Sequence, residues 1–156
     1  MCKTLFRGKP TNLIDLDALP EYHKWVKDGW VYGYLIGKNV IVGEIVGFGE
    51  DYFNTEFWCG VKPETVGQYT GLNDKNVVEI YTGDICRYFM DNIWKYGVVE
   101  RLPDGFALRV FRMGERTTNK LFKFQTFIPV PDTGNIMNDQ FEVISNIWDN
   151  PELLEA

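Results

Sequence analysis

The sequence predicts a mainly β fold built from packed short antiparallel strands. Three observations lead there. Aromatic residues make up 15% of the chain and cluster in segments of strand-like spacing, and large flat side chains pack well on sheets. Turn signals rich in Gly, Pro, Asn and Asp punctuate those segments at short intervals. Strands do not alternate with helical patterns, so a parallel sheet of βαβ units is not indicated. At 156 residues the chain is long enough for its own core, and residues 1–156 read as a single domain, if one with two lobes.

Leu5 and Phe6 form a first strand closed by Gly8 and Pro10. Leu13, Leu16 and Leu19 then recur at helical spacing. Thr11 or Asn12 suits a cap, Pro20 suits the start of a second turn, and Gly29 stops the run. One or two short helices are therefore expected within residues 11–28. Trp30 to Ile36 alternates as a strand, with Trp30, Tyr32, Tyr34 and Ile36 on one face. Gly37-Lys38-Asn39 is a turn, and Val40 to Val46 is the returning strand. Phe57–Val61 and Val66–Tyr69 follow, separated by Pro63.

In the second half, Asp84 to Phe89 is a strand, Asp91-Asn92 a turn and Trp94 to Glu100 the next strand. Pro103-Asp104-Gly105 turns the chain into Phe106 to Arg112. Lys120 to Ile128 alternates again, with Phe122 and Phe124 on one face, and residues 129–138 form a loop. Phe141 to Ile147 is a last strand, and Asn150-Pro151 opens a short C-terminal helical turn. About nine strands are expected, and Gly83 to Arg112 has the rhythm of a small SH3-like barrel.

The net charge is −6, from 16 basic and 22 acidic residues, a balance that opposes non-specific nucleic-acid binding. Cys2, Cys59 and Cys86 are odd in number and widely spaced. They indicate neither a disulfide framework nor a zinc site, and reduced, mostly buried thiols in a cytoplasm are expected. No apolar h-region follows Met1 to Arg7, and no apolar run approaches a membrane span. A cytoplasmic location in a bacterial host is the expectation, with no membrane association.

The stretch Gly67-Gln68-Tyr69-Thr70-Gly71-Leu72-Asn73-Asp74-Lys75-Asn76, followed by Ile80-Tyr81 and Gly83-Asp84-Ile85, resembles the YopX family of phage and prophage proteins. Leu5 to Lys9, Trp30 to Leu35, Phe141 to Ile147 and Asn150 to Leu154 carry the likeness along nearly the whole chain. It implies a β-rich accessory domain and brings no catalytic, cofactor or ligand residues with it. Val77 stands where the family pattern usually has Gly, and Thr82 stands where it usually has an acid. A β-branched residue resists positive φ, so the left-handed position of this turn is expected to move, to Asn76.

Several constellations invite chemistry. Tyr69, Asp74, Lys75 and Asp84 would make a polar pocket if they converged. Turn architecture is the favoured reading, with Gly71 and Gly83 supplying backbone freedom and Asn73, Asp74 and Asn76 bonding local amides. His23 is the only histidine, which removes histidine triads and multi-histidine metal sites. Asp15 with Asp17 and Glu50 with Asp51 lack the spacing of a metal loop. No phosphate loop occurs. The aromatic stripe Trp30, Tyr32, Tyr34 suits a binding face, although strand aromatics are more often core. Between Arg101 and Lys123 stand six basic and two acidic residues. Arg109, Arg112 and Lys123 make this hairpin a candidate anion or nucleic-acid patch, a charged solvated face being the commoner explanation.

The expectation is a non-enzymatic accessory protein that needs no cofactor or metal and binds a host or phage protein. The alternative is an SH3-like nucleic-acid-binding module using the basic hairpin. A carboxylate enzyme centred on Asp84 comes third.

Overall fold

The computed structural model describes residues 5–12, 14, 23–124 and 141–155. The chain is mainly β and divides into two compact units, Met1–Gln68 and Tyr69–Ala156.

In the first unit, β1 (Phe6–Gly8) pairs antiparallel with β3 (Trp30–Ile36), which also pairs with β2 (Val26–Lys27). β3 continues through the Gly37–Asn39 turn into β4 (Val40–Val42), and β4 pairs with β7 (Trp58–Gly60). The first residues of β8 (Gly67–Asn73) pair with β1 on its other side. Val31, Ile41, Phe57 and Val61 are the buried centre, joined by Leu35, Cys59 and the ring of Trp25. Period-two alternation sends Ile41, Leu35 and Cys59 to this core and leaves Tyr34, Ile36, Val42 and Trp58 on the opposite face.

The expected returning strand Val40 to Val46 is broken into β4 and β5 (Ile45–Phe48). β5 pairs with β6 (Phe53–Thr55), which the sequence reading did not find. Two backbone bonds carry the ladder across the break: Gly43 N–H donates to the Phe57 carbonyl and Glu56 N–H to the Glu44 carbonyl, both at 2.9 Å. Residues 40–60 are thus one long bent hairpin. Its base is knitted into the sheet, while its outer half, β5–β6, pairs with no other strand among the described residues.

In the second unit, the rest of β8 pairs with β9 (Glu79–Tyr81). Five strands form an open sheet in the order β13 (Arg116–Lys123), β12 (Gly105–Met113), β11 (Ile93–Leu102), β10 (Asp84–Met90), β14 (Glu142–Asn146). Cys86, Tyr88, Val99, Leu108, Val110, Phe124 and Phe141 build its core. Burial, with the Asp91 charge adding to it, pushes the Tyr88 hydroxyl up to about 12.

Several expectations need correction. The sheets do not close into an SH3-like barrel: β13 and β14 are the two edges of the five-stranded sheet and do not meet. Local alternation marks strands but does not encode which distant strands pair. Among the described residues fourteen strands are present rather than about nine. Within residues 11–28, positions 13 and 15–22 lie outside the described residues. His23-Lys24 form only a 3-10 turn, and Val26–Lys27 is a strand, not helix. Pairing to Trp30 and Val31 across the Asp28-Gly29 turn decides this, both turn residues having positive φ. β13 begins at Arg116, four residues before the expected Lys120, because Gly114-Glu115 is a tight turn. The expected continuation of that strand over 125–128 and the loop 129–138 lie outside the described residues.

Other turns follow their chemistry. Asp91 and Asn92 both take positive φ in a two-residue hairpin, the geometry that matches strand twist. The C-terminal helical turn is a 3-10 helix, Pro151–Glu155. Asn150 stands before it and engages Ser145 and Glu152 through its side chain. Cys59 and Cys86 are free thiols, Cys86 being buried and Cys59 half-buried. Among the described residues no helix is long and apolar enough to cross a membrane.

Candidate functional site

The motif residues lie in strands and turns. Gly67 to Asn73 is strand β8, with its pairing to β9 interrupted between Tyr69 and Asn73. Thr70, Gly71 and Leu72 occupy the irregularity, where Gly71 has φ 84° and the Thr70 hydroxyl accepts from Leu72 N–H. Gln68 pairs with Phe6. Gly83, at φ 90°, completes the Thr82-Gly83 turn from β9 into β10, a conformation an L residue resists.

Tyr69, Asp74, Lys75 and Asp84 each engage residues of the second unit. Tyr69 donates its hydroxyl to Asn73 Oδ1 at 2.8 Å. Lys75 Nζ lies 3.8 Å from Glu142 Oε2. Asp84 is 1% exposed and accepts from Tyr81 N–H at 2.8 Å, between buried Tyr81 and Ile85. The bond closes the tight turn between β9 and β10. Asp74, fully buried, accepts from Asn76 N–H and Val78 N–H through Oδ1 and from Val143 N–H through Oδ2. It clasps the β8–β9 turn to the start of β14, helped by Lys75 N–H donating to the Phe141 carbonyl.

The left-handed residue of that turn is Val77, at φ 63°, and not Asn76. Val77 N–H donates to the Asp74 carbonyl, and Asp74 N–H donates to the Val78 carbonyl. This is a three-residue loop with its last residue left-handed, the position that favours Gly. The Asp74 carboxylate fixes the loop, and the side chain at 77 accepts the penalty. Val77→Gly is therefore expected to stabilise the protein by about 1 kcal/mol, relief of the left-handed penalty being partly offset by glycine's chain entropy. A rise in the denaturation midpoint at unchanged slope would show it, and no rise would count against the turn assignment.

On the basic hairpin two of the six cations, Arg109 and Lys123, face acids within their own sheet. Strand register puts Arg109 opposite Leu121 and Lys123 opposite Ala107, away from the core-facing Leu108–Phe122 pair. Arg109 pairs with Glu100 and donates to Asn119 Oδ1, while Lys123 meets Asp104 at 3.0 Å. The Lys123 ammonium holds the Asp104 carboxyl below its ordinary range. Arg112 lies 4.2 Å above the Tyr96 ring and Arg101 4.9 Å above Phe106.

The aromatic stripe of β3 changes character along its length. Trp30 is 2% exposed, with the Arg7 guanidinium 4.6 Å and the Lys9 ammonium 5.1 Å from its ring. Tyr32 is half-buried. Tyr34 is exposed and donates its hydroxyl to Glu44 Oε1 at 3.0 Å. That bond, with lesser help from burial and the Glu44 charge, raises the Tyr34 hydroxyl above its ordinary value. From Tyr34 onward the face opens and continues sideways across the sheet. An open cleft of about 370 Å³ is lined by Ile36, Val40, Val42 and Trp58 from the sheet and by Phe53 to Thr55 from the arm.

Around this cleft the large apolar side chains face outward. Phe48 is 80% exposed and Trp58 66%, and Ile45, Val46, Tyr52 and Phe53 are also exposed. Only Tyr34 of this surface was singled out as a binding residue by the sequence. The missed signal was in the pattern: Ile45-Val46 and Tyr52-Phe53 place adjacent apolar residues on opposite faces of a short ribbon, so one side must stay open. Among the described residues no group of three or more His, Cys, Asp or Glu side chains is placed to hold a metal ion.

The crystal structure of protein EF1440 from Enterococcus faecalis is similar to this chain, with a TM-score of 0.49 and 20% identity over 99% of each chain. No curated protein matches. The pattern of the YopX protein family matches residues 44–155, which takes in the arm, the Gly67–Asn76 motif and the whole five-stranded sheet, but not the likeness noted at Leu5–Lys9 and Trp30–Leu35. That match covers most of the sequence, and the chain belongs to the YopX protein family.

Proposed function

We propose that this protein is a non-enzymatic accessory protein of phage or prophage origin that acts by binding another protein, and that the β5–β6 arm with its adjoining cleft is the contact surface. The family membership supports the phage setting. The arm carries the rest of the reading. An isolated two-stranded ribbon is marginal in water, and monomeric surfaces seldom leave large contiguous apolar patches uncovered. Here Ile45, Val46, Phe48, Tyr52, Phe53 and Trp58 are exposed together on or beside such a ribbon. Aromatic anchors of this kind dominate protein–protein contacts. The nucleic-acid alternative has less support, because Arg109 and Lys123 already face acidic partners within their own sheet.

The test is retention of protein from a phage-carrying bacterial lysate by the immobilised full chain and by its Phe48→Ser variant. A specific protein retained by the first and lost by the second is the expected result. Retention of nothing specific, or equal retention by both, overturns the reading. Phe48 is exposed enough for the variant to keep its circular dichroism spectrum and melting temperature.

A further inference from the structure

We infer that the arm recognises a basic amphipathic segment of its partner, one that offers apolar side chains flanked by Lys or Arg; this rests on the arm being the contact surface. The argument is charge complementarity. Between Gly43 and Gly60 the chain carries Glu44, Glu50, Asp51 and Glu56 and no basic residue. Glu50 and Asp51 sit at the exposed tip, between Phe48 and Tyr52. Glu44 stands at the base of the arm, where it holds the Tyr34 hydroxyl. Glu56 has Lys24 at 3.4 Å, a mostly exposed pair that leaves the tip unbalanced.

Apolar anchors inside an acidic rim select against acidic partners more strongly than they add affinity for neutral ones. A second copy is the wrong occupant for a two-fold contact. Such a contact sets a patch against itself, so the unbalanced Glu50 and Asp51 of one arm would approach the acidic surface of the other. An anionic membrane surface repels the arm for the same reason. A cation-flanked apolar segment meets no such opposition: its side chains fit the cleft while its charges reach Glu50 and Asp51.

The test uses the full chain and two short synthetic peptides, one alternating leucine with lysine and the other with glutamate at every lysine position. Fluorescence anisotropy of labelled peptide reads the binding. The lysine peptide is expected to bind at least about tenfold more tightly at low salt, and Glu50→Lys with Asp51→Lys to remove or invert that preference. Phe48→Ser should weaken the lysine peptide as well. Equal binding of both peptides overturns the charge assignment and leaves the arm as a contact surface. Lysine-peptide binding unaffected by Phe48→Ser overturns both. Concentration-dependent self-association of the free chain, abolished by Phe48→Ser, identifies a second copy as the occupant and overturns the inference.

Discussion

Asp74→Ala is expected to cost about 4 kcal/mol of folding free energy. The substitution removes three hydrogen bonds to a charged acceptor, each about 1.5–3 kcal/mol, less what the freed amides regain from water. The three donors are the backbone N–H groups of Asn76, Val78 and Val143. Since Asp74 is fully buried, little water replaces the carboxylate at Val143. A loss of this size is a large fraction of a typical domain's total stability. Asp74→Asn separates the two jobs. An amide has one oxygen, so it can serve the turn through Asn76 and Val78 or the link to Val143, but not both. Its expected cost is about half that of alanine, with hydrogen-exchange protection lost selectively at Val143 if the oxygen stays with the turn. Urea denaturation of the three proteins, with exchange read at Val78 and Val143, checks both statements. An alanine cost under about 1 kcal/mol would mean that the clasp is incidental.

That clasp shows what was legible in advance and what was not. Asp74 was readable as a residue that bonds local amides, because Asx chemistry acts within a few positions. Its third bond, to an amide 69 residues away, has no local signature. Val77 makes the same point from the other side. Local preference says that a β-branched residue avoids positive φ, yet Val77 adopts 63°. The carboxylate and the ladder closing the turn outweigh about 1–2 kcal/mol of local penalty.

The strands of the five-stranded sheet were largely legible because each alternates and ends in recognisable turn chemistry, as at Asp91-Asn92 and Pro103-Asp104. The missing barrel closure was not legible, since strand order is a property of distant pairs. The candidate surface was legible only at Tyr34. A rule that sends aromatics inward places Trp30 correctly and fails for Phe48, Phe53 and Trp58. Among the described residues the ribbon that carries or adjoins them pairs with no other strand.

Gly33→Ala is expected to cost about 3 kcal/mol or more, the upper range for overpacking, because the atom it collides with cannot step aside. A Cβ at residue 33 would stand 2.4 Å from the carbonyl oxygen of Val42 and 3.0 Å from Cγ2 of Ile41. The first is backbone in the strand hydrogen-bonded to β3, so relief requires β3 and β4 to separate near the Tyr34–Val42 pair. The second is in the buried core. Gly47, in the arm, is the control: its nearest neighbour would be Asn54 Nδ2 at 3.9 Å, so Gly47→Ala should change stability by no more than about 0.5 kcal/mol. The consequence reaches the candidate surface, because β4 is the base of the bent hairpin and Tyr34, Val42 and Trp58 share one face across β3, β4 and β7. Gly33→Ala should therefore weaken the lysine peptide together with stability, whereas Phe48→Ser should weaken it at unchanged stability. Thermal denaturation beside peptide binding for the three variants separates the two routes. A Gly33→Ala protein of unchanged midpoint would show that the β3–β4 approach is looser than 2.4 Å implies.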